Sequence, residues 1–144
     1  MQDKESIKML KYAYKFGITE FDTAPNYGFG KSESLIGKTF EKFRVKPKIN
    51  TKIEKNHKKY KNFNIKILKE NFENSLKLMM IKKVNTLYLH NPKKIQNQKK
   101  IINFLKSLKK NNKINSYGLS ISKGFKYNDK FINKFDTIQL DYNI

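Results

Sequence analysis

The feature that most constrains this chain is its rhythm. Strand-like segments open near residues 18, 48, 84, 114 and 137, and a helix-like segment precedes each one. Ile7, Leu10, Ala13 and Tyr14 recur at three-four spacing, which predicts an amphipathic helix over residues 5–16, closed by Gly17. Residues 18–22 read as a short strand. Ser32 is the expected N-cap of a second helix that carries Leu35, Ile36, Phe40 and Phe43 on one face. Pro47 breaks the chain ahead of a strand at 48–52. After a polar loop at 54–62, Asn64 caps a long helix reaching about Met80, with Ile65, Leu68, Phe72, Leu76 and Met79 on its apolar face. A strand at 84–89 is stopped by Pro92, and a helix follows at 99–109. Strands at 114–119 and 137–140 flank a short helix at 128–135.

Strict alternation of helix and strand implies parallel strands joined by helical crossovers. A closed barrel of eight such units takes ~250 residues, or about 31 per unit. The spacing here matches that unit length, but 144 residues hold five strands. The expected fold class is therefore α/β: a partial TIM (β/α)8 barrel of about five parallel strands, forming one domain over residues 1–144. An open sheet of this kind leaves two unpaired edges. It is also expected to expose Phe, Ile and Leu side chains meant for a barrel interior as an apolar patch.

Composition narrows the class further. No apolar run is long enough to span a bilayer, and the first eight residues are mostly polar, with no apolar signal core. No membrane association is expected. Cysteine is absent, which excludes a disulfide framework or a thiolate metal site and fits a reducing, cytoplasmic setting. The net charge of +20 raises the question of nucleic acid. Against that reading, Arg44 is the lone arginine, and the lysines are spread along the whole chain rather than gathered in one tail. Lys, Asn and Ile are all abundant, as AT-rich codon usage produces. A nucleic-acid reader ordinarily also uses the planar forks of arginine. Nucleic acid is thus the least favoured partner.

Parallel α/β folds gather their chemistry at the C-terminal ends of strands. Asp22 ends the first strand, Tyr27 follows it, Lys52 ends the second and His90 ends the third. These residue types make one proton-transfer device. A tyrosine hydroxyl is an acid of pKa ~10 in the absence of neighbours, and an adjacent ammonium favours its ionised form. An aspartate keeps such an ammonium charged and oriented, and a histidine hydrogen-bonds a carbonyl oxygen. Together they suit protonation of a carbonyl as a hydride arrives from a cofactor. Each residue also has a structural reading. Asp22 would cap a turn, Tyr27 would be a loop aromatic, Lys52 one lysine among many, and His90 a structural strand-end histidine. Taken singly, those readings are favoured. The joint placement at three successive strand ends reverses the balance.

The stretch GITEFDTAPNYGFGKSESLIGK resembles the signature of the aldo-keto reductase family, with its DTA…YG core and the Ser-Glu, Leu-Ile-Gly pattern of the following helix. INTKI resembles the family strand ending in Thr-Lys, and LYLHNP the strand ending in the active-site His. YGLSIS resembles its Gly-hydrophobic-Ser segment, and IQLDYN the strand that supplies a Gln. The motifs span nearly the whole chain in family order. The resemblance implies reduction of an aldehyde or ketone with NADPH, NADH being the alternative, usually without a metal. By matching position, Tyr27 is the general acid, Lys52 and Asp22 tune it, and His90 orients a small carbonyl substrate. Ser120 and Gln139 match positions that bind the nicotinamide carboxamide. Ile121 departs from the Asn often found after that Ser. Measured against the eight-stranded family barrel, the chain is expected to lack the Gly-rich first strand and the last two strands, whose loops hold the cofactor phosphates. GFG at 28–30 lacks the spacing of a dinucleotide fingerprint and reads as a turn. The expected activity of such a short form is weak or nil. The alternative is a non-catalytic half-barrel that associates with itself or with a complementary barrel fragment.

Overall fold

Ten elements alternate along the chain in the computed structural model, which describes residues 3–53, 64–90, 92, 98–122 and 129–141. They are α1 (Asp3–Lys15), β1 (Glu20–Asp22), α2 (Lys31–Phe43), β2 (Lys48–Ile53), α3 (Ile65–Leu78), β3 (Val84–His90), α4 (Gln98–Lys110), β4 (Ile114–Ile121), α5 (Asp129–Ile132) and β5 (Thr137–Leu140). The strands form one five-stranded sheet in the order β1-β2-β3-β4-β5, every neighbouring pair parallel. This is the partial barrel that the strand spacing predicts. The polar loop expected at 54–62 lies outside the described residues.

Local chemistry sets the element ends. Gly17, at φ 91°, leaves α1 in the left-handed conformation that suits a residue without a Cβ. The Asn64 side chain accepts the Lys66 N–H at 2.9 Å and so caps α3. Ser32 does not cap α2. The N-cap is Gly30, at φ 86°, and the helix begins at Lys31, so Ser32 stands inside the first turn with its hydroxyl free to turn sideways. The short helix expected at 128–135 is a single turn, α5. Asp136 follows it, accepting the Tyr117 N–H at 3.1 Å and pairing with Lys109 at 2.8 Å, which sets the approach to β5.

Pleating sorts the strand residues onto two faces. Ile49, Ile53, Leu87, Leu89, Tyr117 and Leu119 face the helices and join Ile36, Phe40, Leu68, Phe72, Leu76, Ile101 and Leu105 in one core. The opposite face runs through Asp22, Asn50, Lys52, Tyr88, His90, Gly118, Ser120 and Gln139, taken by strand register. That inner face is polar, which corrects the expected apolar interior patch. The apolar residues of β2, β3 and β4 named above pack against the helices. The exposed large apolar residues include Met9, Tyr12, Phe16 and Ile18 on and just after α1, and Ile138 and Leu140 on the edge strand β5. Near the strand starts, polar side chains bond from strand to strand. Asn50 Nδ2 donates to Glu20 Oε1 at 2.8 Å, Asn85 Nδ2 to Asn50 Oδ1 at 3.0 Å, and Asn115 Nδ2 to Asn85 Oδ1 at 3.3 Å. No helix among the described residues is long and apolar enough to cross a membrane.

The helix layer is closely packed at Gly37 of α2. A Cβ there would stand 2.5 Å from the Leu78 carbonyl oxygen and 2.7 Å from the Met79 carbonyl carbon. Alanine is the better helix former by roughly 1 kcal/mol, so an exposed helical glycine gains from the change. Here the methyl meets backbone that cannot swing aside, and overpacking of about 1–3 kcal/mol outweighs that gain. Gly37→Ala is expected to lower the urea unfolding midpoint, and a rise would contradict the close approach of α2 to the end of α3.

Candidate active site

The Lys52 side chain is 2% exposed, although lysine is among the residues least often buried. It stands on the inner face of β2, because its neighbours Thr51 and Ile53 are turned to the helices. Three groups meet its Nζ. The Asp22 carboxylate forms an ion pair with it. The Thr23 carbonyl accepts from it at 3.0 Å, and the Tyr27 hydroxyl lies at 3.4 Å. The ammonium also sits 5.0 Å from the centre of the Tyr27 ring, within reach of a cation–π contact. A buried ammonium is tolerated only when paired and hydrogen-bonded, and here both conditions are met.

Parallel pairing produces this convergence. Asp22 pairs with Asn50 in register, so the end of β1 lies beside the end of β2, and the Thr23 N–H extends the ladder to the Asn50 carbonyl at 3.0 Å. The chain then turns over α2. Tyr27 N–H donates to the Ala24 carbonyl at 3.1 Å, and Ser32 N–H to the Tyr27 carbonyl at 3.2 Å. Gly28, Phe29 and Gly30 all take positive φ, so the GFG segment is a tight left-handed turn, as its spacing suggests. That turn brings the Tyr27 hydroxyl back to Lys52 and leaves the residue 42% exposed, with the phenol reachable from solvent.

His90 ends β3 on the same face. Lys52 pairs with Tyr88, and His90 lies two residues further along that strand. His90 pairs with Ser120, and Ser120 with Gln139, so these three form one row across three strands. The sheet thus places Asp22, Tyr27 and Lys52 in direct contact and lines up His90, Ser120 and Gln139 alongside. Gln139 Oε1 is buried without a hydrogen-bond partner among the described residues, an acceptor open to a ligand amide. Ile121 packs against the core.

Residues around the site make contacts that the motif alone does not reveal. Thr23 supplies a carbonyl to Lys52, and its hydroxyl donates to Ser32 Oγ at 2.9 Å. Glu33 is fully buried in the first turn of α2 and accepts the Thr51 hydroxyl at 2.7 Å. Thr23, Glu33 and Thr51 stand within the quoted DTA, Ser-Glu and Thr-Lys motifs, but nothing in the local sequence pairs one with another. Burial pushes the Glu33 carboxyl above the ordinary value of 4.5, against the smaller opposing effects of the Thr51 and Ser75 hydroxyls. Ser75 lies close enough to act on it, yet neither Ser75 Oγ nor Glu33 Oε2 makes a hydrogen bond of ordinary geometry.

Comparison with known proteins bears on the family and the fold. The aldo/keto reductase family profile matches residues 1–144. Aldo-keto reductase YhdN of Bacillus subtilis is 30% identical over 149 aligned positions, covering 99% of this chain and 45% of that protein. Among solved structures, the thermostable aldo-keto reductase Tm1743, in complex with the inhibitor epalrestat, superposes with a TM-score of 0.80 at 27% identity, over 98% of this chain and 51% of that one. An aldo/keto reductase from Klebsiella pneumoniae, in complex with NADP and acetate, shares the fold with a TM-score of 0.70 at 18% identity, over 92% of this chain and 43% of that one. Half of a (β/α) barrel with a lysine–aspartate–tyrosine cluster at its strand ends defines the class. The chain belongs to the aldo/keto reductase family, and it spans about half the length of the relatives it matches.

The raised Glu33 pKa fixes a pH dependence. A carboxyl that holds its proton more tightly when folded contributes stability that is fully present below its unfolded value of 4.5. That contribution is lost as pH rises through the folded pKa. Glu33→Gln removes the titration, so its melting temperature relative to the parent is expected to climb as pH is raised from about 4.5 towards 8. A difference that is flat or falls across that range contradicts the assignment.

Proposed function

We propose that this chain carries the proton-delivering half of an aldo-keto reductase active site, one that reduces an aldehyde or ketone to an alcohol with NADPH as cofactor. The observation that carries the reading is the Lys52 ammonium, buried and held at once by Asp22, the Thr23 carbonyl and the Tyr27 hydroxyl. In this reading Tyr27 gives its hydroxyl proton to the carbonyl oxygen of the substrate. Lys52 stabilises the phenolate that remains, so the proton leaves at less cost. Asp22 keeps the lysine charged and aimed. His90 hydrogen-bonds the same carbonyl oxygen and sets its orientation. When bound, NADPH supplies the hydride to the carbonyl carbon.

The residues present fit the nicotinamide end of that cofactor. The buried, unpartnered Gln139 Oε1 is an acceptor suited to a carboxamide N–H, and Ser120, its register partner, adds a hydroxyl beside it. The choice of NADPH follows from the family to which the chain belongs.

A second reading has its own observation. Exposed Met9, Tyr12, Phe16 and Ile18 lie towards the β1 edge, and exposed Ile138 and Leu140 on the β5 edge. Exposed apolar groups beside unpaired strand edges favour association with a complementary barrel segment or with a second copy. Light scattering on the eluting protein is expected to report a species heavier than one chain, and a stable monomer at tens of micromolar counts against this reading.

The catalytic reading is tested by following NADPH absorbance with a small aldehyde, on this chain and on the chain joined to the remaining barrel units. Tyr27→Phe is expected to lower kcat in the joined form by about 10²–10⁴ with little change in KM. Unchanged turnover in Tyr27→Phe removes the assignment of Tyr27 as the acid.

A further inference from the structure

The first turn of α2 bonds to three residues around the Lys52 cluster, Thr23, Tyr27 and Thr51. Ser32 N–H binds the Tyr27 carbonyl at 3.2 Å, and Ser32 Oγ accepts the Thr23 hydroxyl at 2.9 Å. Thr23 in turn gives its carbonyl to Lys52. The next residue, Glu33, accepts the hydroxyl of Thr51, the neighbour of Lys52 on β2. Two successive helix residues therefore hold the end of β1, the turn bearing Tyr27 and the end of β2. We infer that Glu33 is a positioning residue for Lys52, acting through Thr51; this rests on the reading of Tyr27 and Lys52 as the proton-delivering pair.

Three features support a positioning role. First, Glu33 and Thr51 are both fully buried, so their bond does not exchange with water, and a buried carboxyl is too costly to serve as mere filler. Second, successive strand side chains point to opposite faces, so fixing Thr51 from the helix side fixes the height of Lys52 on the inner side. Third, the Lys52 Nζ to Tyr27 hydroxyl distance is 3.4 Å, at the outer limit of a hydrogen bond. The Asp22 and Thr23 contacts are shorter. A small shift of β2 away from α2 would break the tyrosine contact first and leave the ion pair intact. Glu33 touches neither Lys52 nor Tyr27 by any bond described above, so its effect runs through the backbone of β2. The Glu33 side chain needs only an acceptor for Thr51 Oγ1, and a glutamine amide oxygen supplies one.

The test uses three substitutions with two readouts. Thr51→Val keeps the branched shape and removes the hydroxyl, Glu33→Leu removes the acceptor, and Glu33→Gln keeps it. The first readout is the Lys52 ammonium resonance in protein labelled with ¹⁵N-lysine, which needs neither cofactor nor substrate. The second is kcat against KM in the joined barrel. Thr51→Val is expected to move the Lys52 resonance or lose it to solvent exchange, and to lower kcat about tenfold at unchanged KM. Glu33→Leu does the same where it folds, and Glu33→Gln keeps both near the parent values. If Thr51→Val folds with the Lys52 resonance and kcat both within error of the parent, Glu33 serves the packing of α2 alone and the inference is overturned. The same change in Glu33→Gln as in Glu33→Leu overturns it too, since the acceptor would then not be what matters. Where no turnover is measurable, the resonance decides alone. Failure of the parent reading is separate: it appears as unchanged turnover in Tyr27→Phe, whatever the lysine resonance does.

Discussion

The pairing of one buried ammonium organises this molecule. Lys52 is almost fully removed from water, and in such a setting an unpaired ammonium would cost on the order of several kcal/mol. It is tolerated because Asp22 and the Thr23 carbonyl come to it from the adjacent strand. That meeting requires β1 and β2 to be parallel and in a fixed register, which requires α2 to cross between them. The helix then has to pack on the sheet, and Ile36 and Phe40 bury themselves against it. Core, crossover and ion pair are thus one set of mutually dependent contacts. Asp22 keeps about a third of its side chain exposed, so the pair is strong enough to order Lys52 without being sealed from a ligand.

Much of this was legible in the residues. The element order follows from periodicity, since helices repeat their apolar positions every three or four residues and strands every two. Ile101, Ile102, Leu105 and Leu108 are buried as their spacing requires. Asp22, Tyr27 and Lys52 are recognisable because the geometry of parallel strands puts strand ends together whatever the intervening sequence. Ser32 and Glu33 are different. Ser32 has the composition of an N-cap, yet the helix begins one residue ahead of it, at Lys31, with a left-handed Gly30 at the N-cap. Glu33 in a first helical turn looks like a favourable charge on the helix dipole facing water. Only the approach of Thr51 and Ser75, from elements distant in sequence, turns it inward. Roles that depend on contacts between distant segments leave no local pattern.

The polar inner face has the same origin. Asn50 and Asn85 have low strand propensity and look like weak points when read one strand at a time. Across the sheet they are partners, and the Asn50 amide oxygen also accepts the Thr86 N–H at 3.0 Å. Tyr88 finds room because Gly118 sits opposite: a Cβ there would meet the tyrosine ring at 2.7 Å. The missing side chain on β4 and the large one on β3 are two halves of one fit.

The chain of bonds from Glu20 through Asn50 and Asn85 to Asn115 works as an index mark across four strands. Sliding β2 by a single residue would turn Asn50 towards the helices and swing Ile49 or Thr51 into the row. Every bond in the row would be lost at once, and a polar amide would enter the apolar layer. The same slip would carry Lys52 to the wrong face. The side chains near the strand starts therefore guard the alignment of the groups at the strand ends, and they do so without a closed barrel.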